Sequence, residues 1–230
     1  MKKYTIILFG AICAVILAFN QNAKADFISF LDSPNDDLSG LSGPFGKVDV
    51  HLTSTTTATV TFTSLTNNGN IYLFGDGSTA AVNVNATTFT ITGITGSNAG
   101  TGFTNLVTDY TVVNPPGTSN VDGKGSFNGV IDTFDGFTHS VDTLSFTLTN
   151  VSGTWSGAGD VLIQNAAGFD AAAHIFVTDD PAVQSNGASV TGFAGETGGT
   201  VTTPDGGATA CLLGLGLASL AGIRARFGRK

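Results

Sequence analysis

Hydrophobic and polar residues alternate with a period of two along several stretches of the chain. The clearest is Thr57 to Phe62, where Ala58, Val60 and Phe62 point one way and Thr57, Thr59 and Thr61 the other. The same pattern sets Leu144, Phe146 and Leu148 against Ser145, Thr147 and Thr149, and turns Phe89 and Ile91 inward within Thr88 to Thr92. Successive side chains of a strand point to opposite faces, so these stretches predict half-buried antiparallel strands. Further strands are predicted at Phe27 to Leu31, Val48 to Leu52, Ile71 to Phe74, Leu106 to Val113, Ser126 to Ile131, Asp160 to Ile163 and His174 to Thr178. Turn signals separate them at Asn68-Gly69, Asp76-Gly77, Pro115-Pro116-Gly117, Asp122-Gly123 and Asp135-Gly136. Roughly ten strands with frequent turns predict an all-β, antiparallel β-sandwich or jelly-roll-like body. No window carries an amphipathic helix, and Ala166 to Ala173 allows one turn at most. No sequence repeat of fixed period is present, which disfavours a propeller or β-helix.

The two ends follow a different pattern. Lys2 and Lys3 precede an apolar run of 14 residues, Ile6 to Phe19, and Ala23-Lys24-Ala25 follows as a small-x-small site. That order predicts an export signal over residues 1–25, cut after Ala25 by signal peptidase, which reads Ala23 and Ala25. Asp26 becomes the first mature residue. Cys13 is discarded with the signal, and Cys211, the one remaining cysteine, lies in a second apolar run, so no intrachain disulfide is expected.

That second run, Ala208 to Ile223, is followed by Arg224, Arg226, Arg229 and Lys230. As a helix it reaches about 24 Å, extended by arginine snorkelling, and the cations hold the tail on the cytoplasmic side with the body outside. Just upstream, Pro204 pushes Thr203 towards an extended conformation and Gly206-Gly207 resists helix formation. A flexible stalk is expected over residues 195–203, from Gly195, Gly198 and Gly199. The predicted organisation is therefore a signal peptide (1–25), a β body (26–194), a stalk (195–203) and a C-terminal segment of motif, transmembrane helix and basic tail (204–230).

Thr203-Pro204-Asp205-Gly206-Gly207-Ala208-Thr209, then Leu212-Leu213-Gly214-Leu215-Gly216-Leu217, then the arginine cluster, resembles the C-terminal sorting signal of PEP-CTERM proteins. The likeness is to the variants with Val-Pro-Asp-Ser/Gly-Gly, with Thr203 standing where Val is usual. The resemblance covers residues 203–230. It implies that an exosortase-type membrane protease recognises Pro204, Asp205, Gly206 and Gly207, cuts near them and passes the protein to the surface. Gly206-Gly207 also suits the runner-up, a GlyGly-type signal cut by a rhomboid-like protease.

Composition and charge narrow the partners. Between Asp26 and Thr203 the only basic residues are Lys47 and Lys124, against sixteen acids, a formal charge of −14. Two lysines cannot neutralise a nucleic-acid backbone, so no nucleic-acid partner is expected, and an anionic membrane surface is an equally poor one. With 31 Gly and 33 Thr the whole chain favours turns and strands, while 41% apolar residues with 17 Phe suffice for a core.

No catalytic pattern emerges, and no enzyme is expected. A glycosidase usually needs two carboxyl groups across a cleft, yet the body has one Glu, Glu196, and no aspartate spacing picks out a pair. A Gly-x-Ser-x-Gly elbow is absent. His51, His139 and His174 are isolated along the chain and predict no metal site. No cofactor is expected beyond one calcium ion, for which the candidate oxygen-rich turns are Asp132, Asp135 and Gly136, Asp76-Gly77, or Asp179-Asp180. The resemblance implies a surface or extracellular-matrix protein, with a structural or adhesive role beside exopolysaccharide in a biofilm. The alternative is a carbohydrate-binding module, for which Trp155, the only Trp, is the candidate glycan contact and core filling the competing role. The Thr-rich outer faces offer a second surface for polysaccharide or O-linked sugar. Asn85-Ala86-Thr87 and Asn150-Val151-Ser152 have the N-glycosylation spacing.

Overall fold

The computed structural model describes residues 26–100, 106–113, 117–133, 138–178, 188–196 and 201–203, and the single positions Gly214, Gly216, Ser219 and Arg224. The chain divides into a body, Ala25–Thr203, and a unit of Met1–Lys24 with Pro204–Lys230. In the second unit the four described positions are helical and exposed. Among the described residues no helix is long and apolar enough to cross a membrane; most of the expected C-terminal span lies outside them.

The body is all β. In chain order its strands are β1 (Asp26–Pro34), β2 (Gly46–Leu52), β3 (Thr57–Ser64), β4 (Thr66–Asn67), β5 (Asn70–Phe74), β6 (Ala80–Val82), β7 (Phe89–Ser97), β8 (Thr111–Val113), β9 (Ser119–Val121), β10 (Gly125–Phe127), β11 (Gly129–Asp132), β12 (Thr143–Asn150), β13 (Ala171–Thr178), β14 (Val190–Glu196) and β15 (Val201–Thr203). Short 3-10 turns occupy Asp36–Gly40 and Ala158–Asp160. Thirteen strands form one antiparallel sheet, running from β7 through β12, β3, β2, β1, β14, β13, β6 and β11 to β8; β15 also borders β1, β5 borders β13 and β4 borders β5.

Alternation fixes the register. Phe62 lies opposite Leu144 and Val48, Val60 opposite Phe146 and Val50, and Ala58 opposite Leu148 and Leu52. All nine are buried. On the other face, Thr57, Thr59, Thr61 and Thr63 pair with Thr149, Thr147, Ser145 and Thr143, which pair in turn with Thr90, Thr92, Thr95 and Ser97 of β7. A slip by one residue would bring those hydroxyls into the core and expel the Phe side chains, so the pairing is strongly specified.

The expectation of a sandwich or jelly roll is corrected in one respect: the sheet is continuous and nearly closed instead of divided into two hydrogen-bonded sheets. The reason lies in β13 and Phe74. β13 is flanked by β14 on one side and by β5 and β6 on the other. From β5, Phe74 then exchanges both backbone hydrogen bonds with Val141, at 2.8 and 2.9 Å, just before β12 begins. Phe62 packs edge-on to Phe74 at 6.0 Å and stacks on Phe146 at 6.2 Å across the interior.

Four local expectations also change. Val190–Glu196 forms a full strand, and the expected stalk supplies part of the body: Gly195 and Glu196 are buried in β14, and Val201–Thr203 forms β15. Ser126 to Ile131 is two strands broken at Asn128. Of Leu106 to Val113 only Thr111–Val113 is a strand. Asp160 to Ile163 is the end of a 3-10 turn followed by a single bridge at Leu162. Ala166 to Ala173, where one turn at most was allowed, holds a turn at Ala166 and Ala167 before β13 starts at Ala171. β13 escapes a period-two reading because both its faces are covered: Ala173, Ile175 and Val177 face the main core, while Ala172 packs with Val121 and Phe127 of the β9–β10 hairpin.

Candidate functional site

The first and last strands of the body meet. β1 and β15 pair antiparallel with Asp26 opposite Thr203, Phe27 opposite Thr202 and Ile28 opposite Val201. Asp26 Oδ1 also lies 2.5 Å from His51 Nδ1. The expected processing residues Ala23, Ala25, Pro204, Asp205, Gly206 and Gly207, and the tail residues Arg226, Arg229 and Lys230, lie outside the described residues; Arg224 is helical and exposed.

Trp155 is a core residue, 2% exposed, so an exposed indole platform for sugar is not what this side chain provides. Its Nε1 donates instead to the backbone carbonyl of Asn85 at 2.8 Å. A buried indole N–H requires such a partner, and here the partner belongs to the wall of an open groove.

The groove has a volume of about 460 Å³. One wall is the irregular connection after β6, held by a bridge between Val84 and Leu162 and by backbone bonds Asn85 to Val161 and Ile163 to Asn83, each 2.9 Å. Asn128, at the break between β10 and β11, acts as a surrogate strand: its amide accepts from Val84 N at 2.7 Å and donates to Val84 O at 2.9 Å. The Asn83 amide donates to Ile163 O at 2.8 Å and that of Asn85 to Asp160 O at 3.0 Å. The opposite wall is the loop after β12, where Asn150 Oδ1 accepts from Ser152 N and Oγ, and Ser152 Oγ accepts from Thr88 N at 3.1 Å.

A primary amide offers two N–H donors and a carbonyl with two lone pairs. Asn83 and Asn85 each use one N–H, and Asn150 uses its carbonyl, which leaves acceptor and donor capacity at the groove. Among the described residues no ionisable side chain lines it. No protein-family model, curated protein or solved structure matches the chain.

The other candidates are placed as follows. Asp76, Gly77 and Asp132 come together: the buried Asp132 accepts from the backbone N–H of Ser78, and Thr133 Oγ1 donates to Asp76 O at 3.2 Å. Burial pushes the Asp132 carboxyl above its ordinary range, the Ser78 N–H pulls it back, and the Asp76 charge pushes it further up. Among the described residues no three His, Cys, Asp or Glu side chains are grouped to hold a metal ion. Asp135, Gly136, Asp179, Asp180 and Cys211 lie outside the described residues. The three histidines remain apart in their roles: His51 faces Asp26, His174 stacks on Phe193 at 4.1 Å, and His139 contacts Thr138.

Sequence reasoning missed the groove because its four amides come from three separate places in the chain. Two of them carried a signal of another kind: Asn85 and Asn150 head the two glycosylation-type triplets. Asn85 is exposed, but Asn150 is only 6% exposed, and its buried carbonyl braces the loop instead.

Proposed function

We propose that the chain is an exported bacterial surface protein, a substrate of an exosortase-type sorting protease, whose β body has a structural or adhesive role in the envelope or an exopolysaccharide matrix. In this reading residues 1–25 are a signal peptide and residues 204–230 a sorting signal with a transmembrane helix and basic tail. The all-β body is what remains after both are processed, and no catalysis of its own is assigned to it.

The observation that supports this reading is the pairing of Asp26 with Thr203. The ladder that joins the ends of the body uses residues between the two expected cuts, so removing the end segments costs the body none of its strand pairing. Both junctions then leave the body at neighbouring points. The Thr and Ser face of β3, β12 and β7 gives it a neutral, hydroxyl-rich exterior suited to a hydrated polymer. A carbohydrate-binding module is the second reading, favoured by the uncharged amide groove.

Intact-mass analysis of the protein from its native host, wild type beside Pro204→Ala, tests the sorting. The expected mature form starts at Asp26 and ends near Pro204, and the variant loses the C-terminal cut. If every species keeps Ile223 and the basic tail, the chain is a permanently anchored ectodomain and the sorting reading fails.

A further inference from the structure

We propose that the groove between the Asn83–Thr87 segment and the Asn150–Thr154 loop binds a neutral glycan, with the amides addressing its hydroxyls and Ile163 meeting the C–H face of a sugar ring. The inference deepens the matrix reading by naming the surface and the ligand class, and it rests on that reading only for where the ligand is met.

Charge is the first argument. The body carries sixteen acids and two lysines, yet among the described residues no ionisable side chain lines the groove. A cationic ligand finds no carboxylate there, and an anionic one is opposed by the field of the whole body. A neutral ligand with many donors and acceptors matches what the amides of Asn83, Asn85 and Asn150 have left to offer.

Apolar exposure is the second. The large hydrophobic side chains exposed among the described residues are Leu106, Val151 and Ile163, at 37%, 63% and 50%. Of these, Ile163 lines the groove. A half-exposed apolar side chain thus stands beside amides and hydroxyls, a pairing of polar edge and apolar face that a pyranose ring shares. An extended peptide fits less well, since the backbone of this wall is already bridged to Leu162 and offers no free ladder for strand addition.

Rigidity is the third. The bonds from Asn128 to Val84, from Trp155 to Asn85 and from Thr88 to Ser152 fix both walls before a ligand arrives, which lowers the ordering cost of binding.

The test is an NMR titration of the full chain, held in a sugar-free zwitterionic detergent, with cellohexaose, maltohexaose, laminarihexaose and xylohexaose; hexagalacturonate and hexaglycine are the charged and peptide controls. The expected result is saturable shifts of the Asn83, Asn85, Thr87 and Thr154 amides with at least one neutral oligosaccharide. Ile163→Asp should weaken that binding roughly tenfold or more, at an exposed position that leaves the core intact. The proposal is overturned if no neutral oligosaccharide shifts these amides, if either control binds there as well as the sugars, or if binding survives Ile163→Asp. The sorting reading is decided separately by the Pro204→Ala masses, so the two fail independently.

Discussion

The indole N–H of Trp155 is bonded to the carbonyl of Asn85, 70 residues away, and this bond ties the loop after β12 to the connection after β6. Trp155→Phe keeps most of the buried ring but removes the donor, leaving the Asn85 carbonyl without it. The expected loss is about 1–3 kcal/mol of unfolding free energy, read as a lower urea midpoint. As Trp155 is the only Trp, wild-type emission should be blue-shifted and poorly quenched by acrylamide. Emission of a solvent-exposed indole would contradict the assignment.

Asp132 gives the body a pH dependence at the acid end. Its folded carboxyl titrates above the ordinary value of 3.8, chiefly because of burial. The folded state therefore holds a proton that the unfolded chain has released, and stability falls as pH rises from 3.8 through the raised value. Asp132→Asn keeps an oxygen to accept from Ser78 and should flatten that slope and raise stability at neutral pH. Denaturation midpoints across the acid range check both signs.

Tyr110 does the same at the alkaline end. Burial pushes its phenol from 10.0 up to about 12. Below 10.0 both states are protonated and the group contributes no slope; between 10.0 and about 12 the unfolded chain ionises first and stability declines with rising pH. Tyr110→Phe should remove most of that decline while losing the hydroxyl's 3.3 Å bond to Val107 O. An unchanged alkaline slope in the variant would refute the assignment.

Ile28 and Val201 lie opposite one another in the β1–β15 ladder. Directly opposed Cα atoms in an antiparallel pair are about 4.5–5.5 Å apart, within reach of a disulfide. The double variant Ile28→Cys with Val201→Cys should form that bond on oxidation and migrate faster on a non-reducing gel, while the single variants should not. Failure to cross-link would mean that the ends of the body do not pair in solution.

The sequence by itself determined the class of structure. Thr57 to Phe62 and Leu144 to Thr149 read as strands because one face of each is wet and the other dry, so burial leaves a period-two trace in the residue order. The proposed addressing role of the two ends rests on equally local features, contiguous apolar runs with basic flanks. β13 was only half legible, since a strand covered on both faces has no such period. β14 was hidden by Gly192 and Gly195, which loosen a strand by propensity; here a Cβ on Gly192 would come within 3.0 Å of the Asn35 carbonyl, so tertiary packing selects glycine in a paired strand. Only the tertiary structure decided that Thr203 returns to Asp26, that the sheet continues through Phe74 to Val141, and that Asn83, Asn85, Asn128 and Asn150 share one uncharged groove. Each depends on contacts between residues distant in the chain, whose geometry is set by sheet curvature and core packing and leaves no periodicity in the sequence.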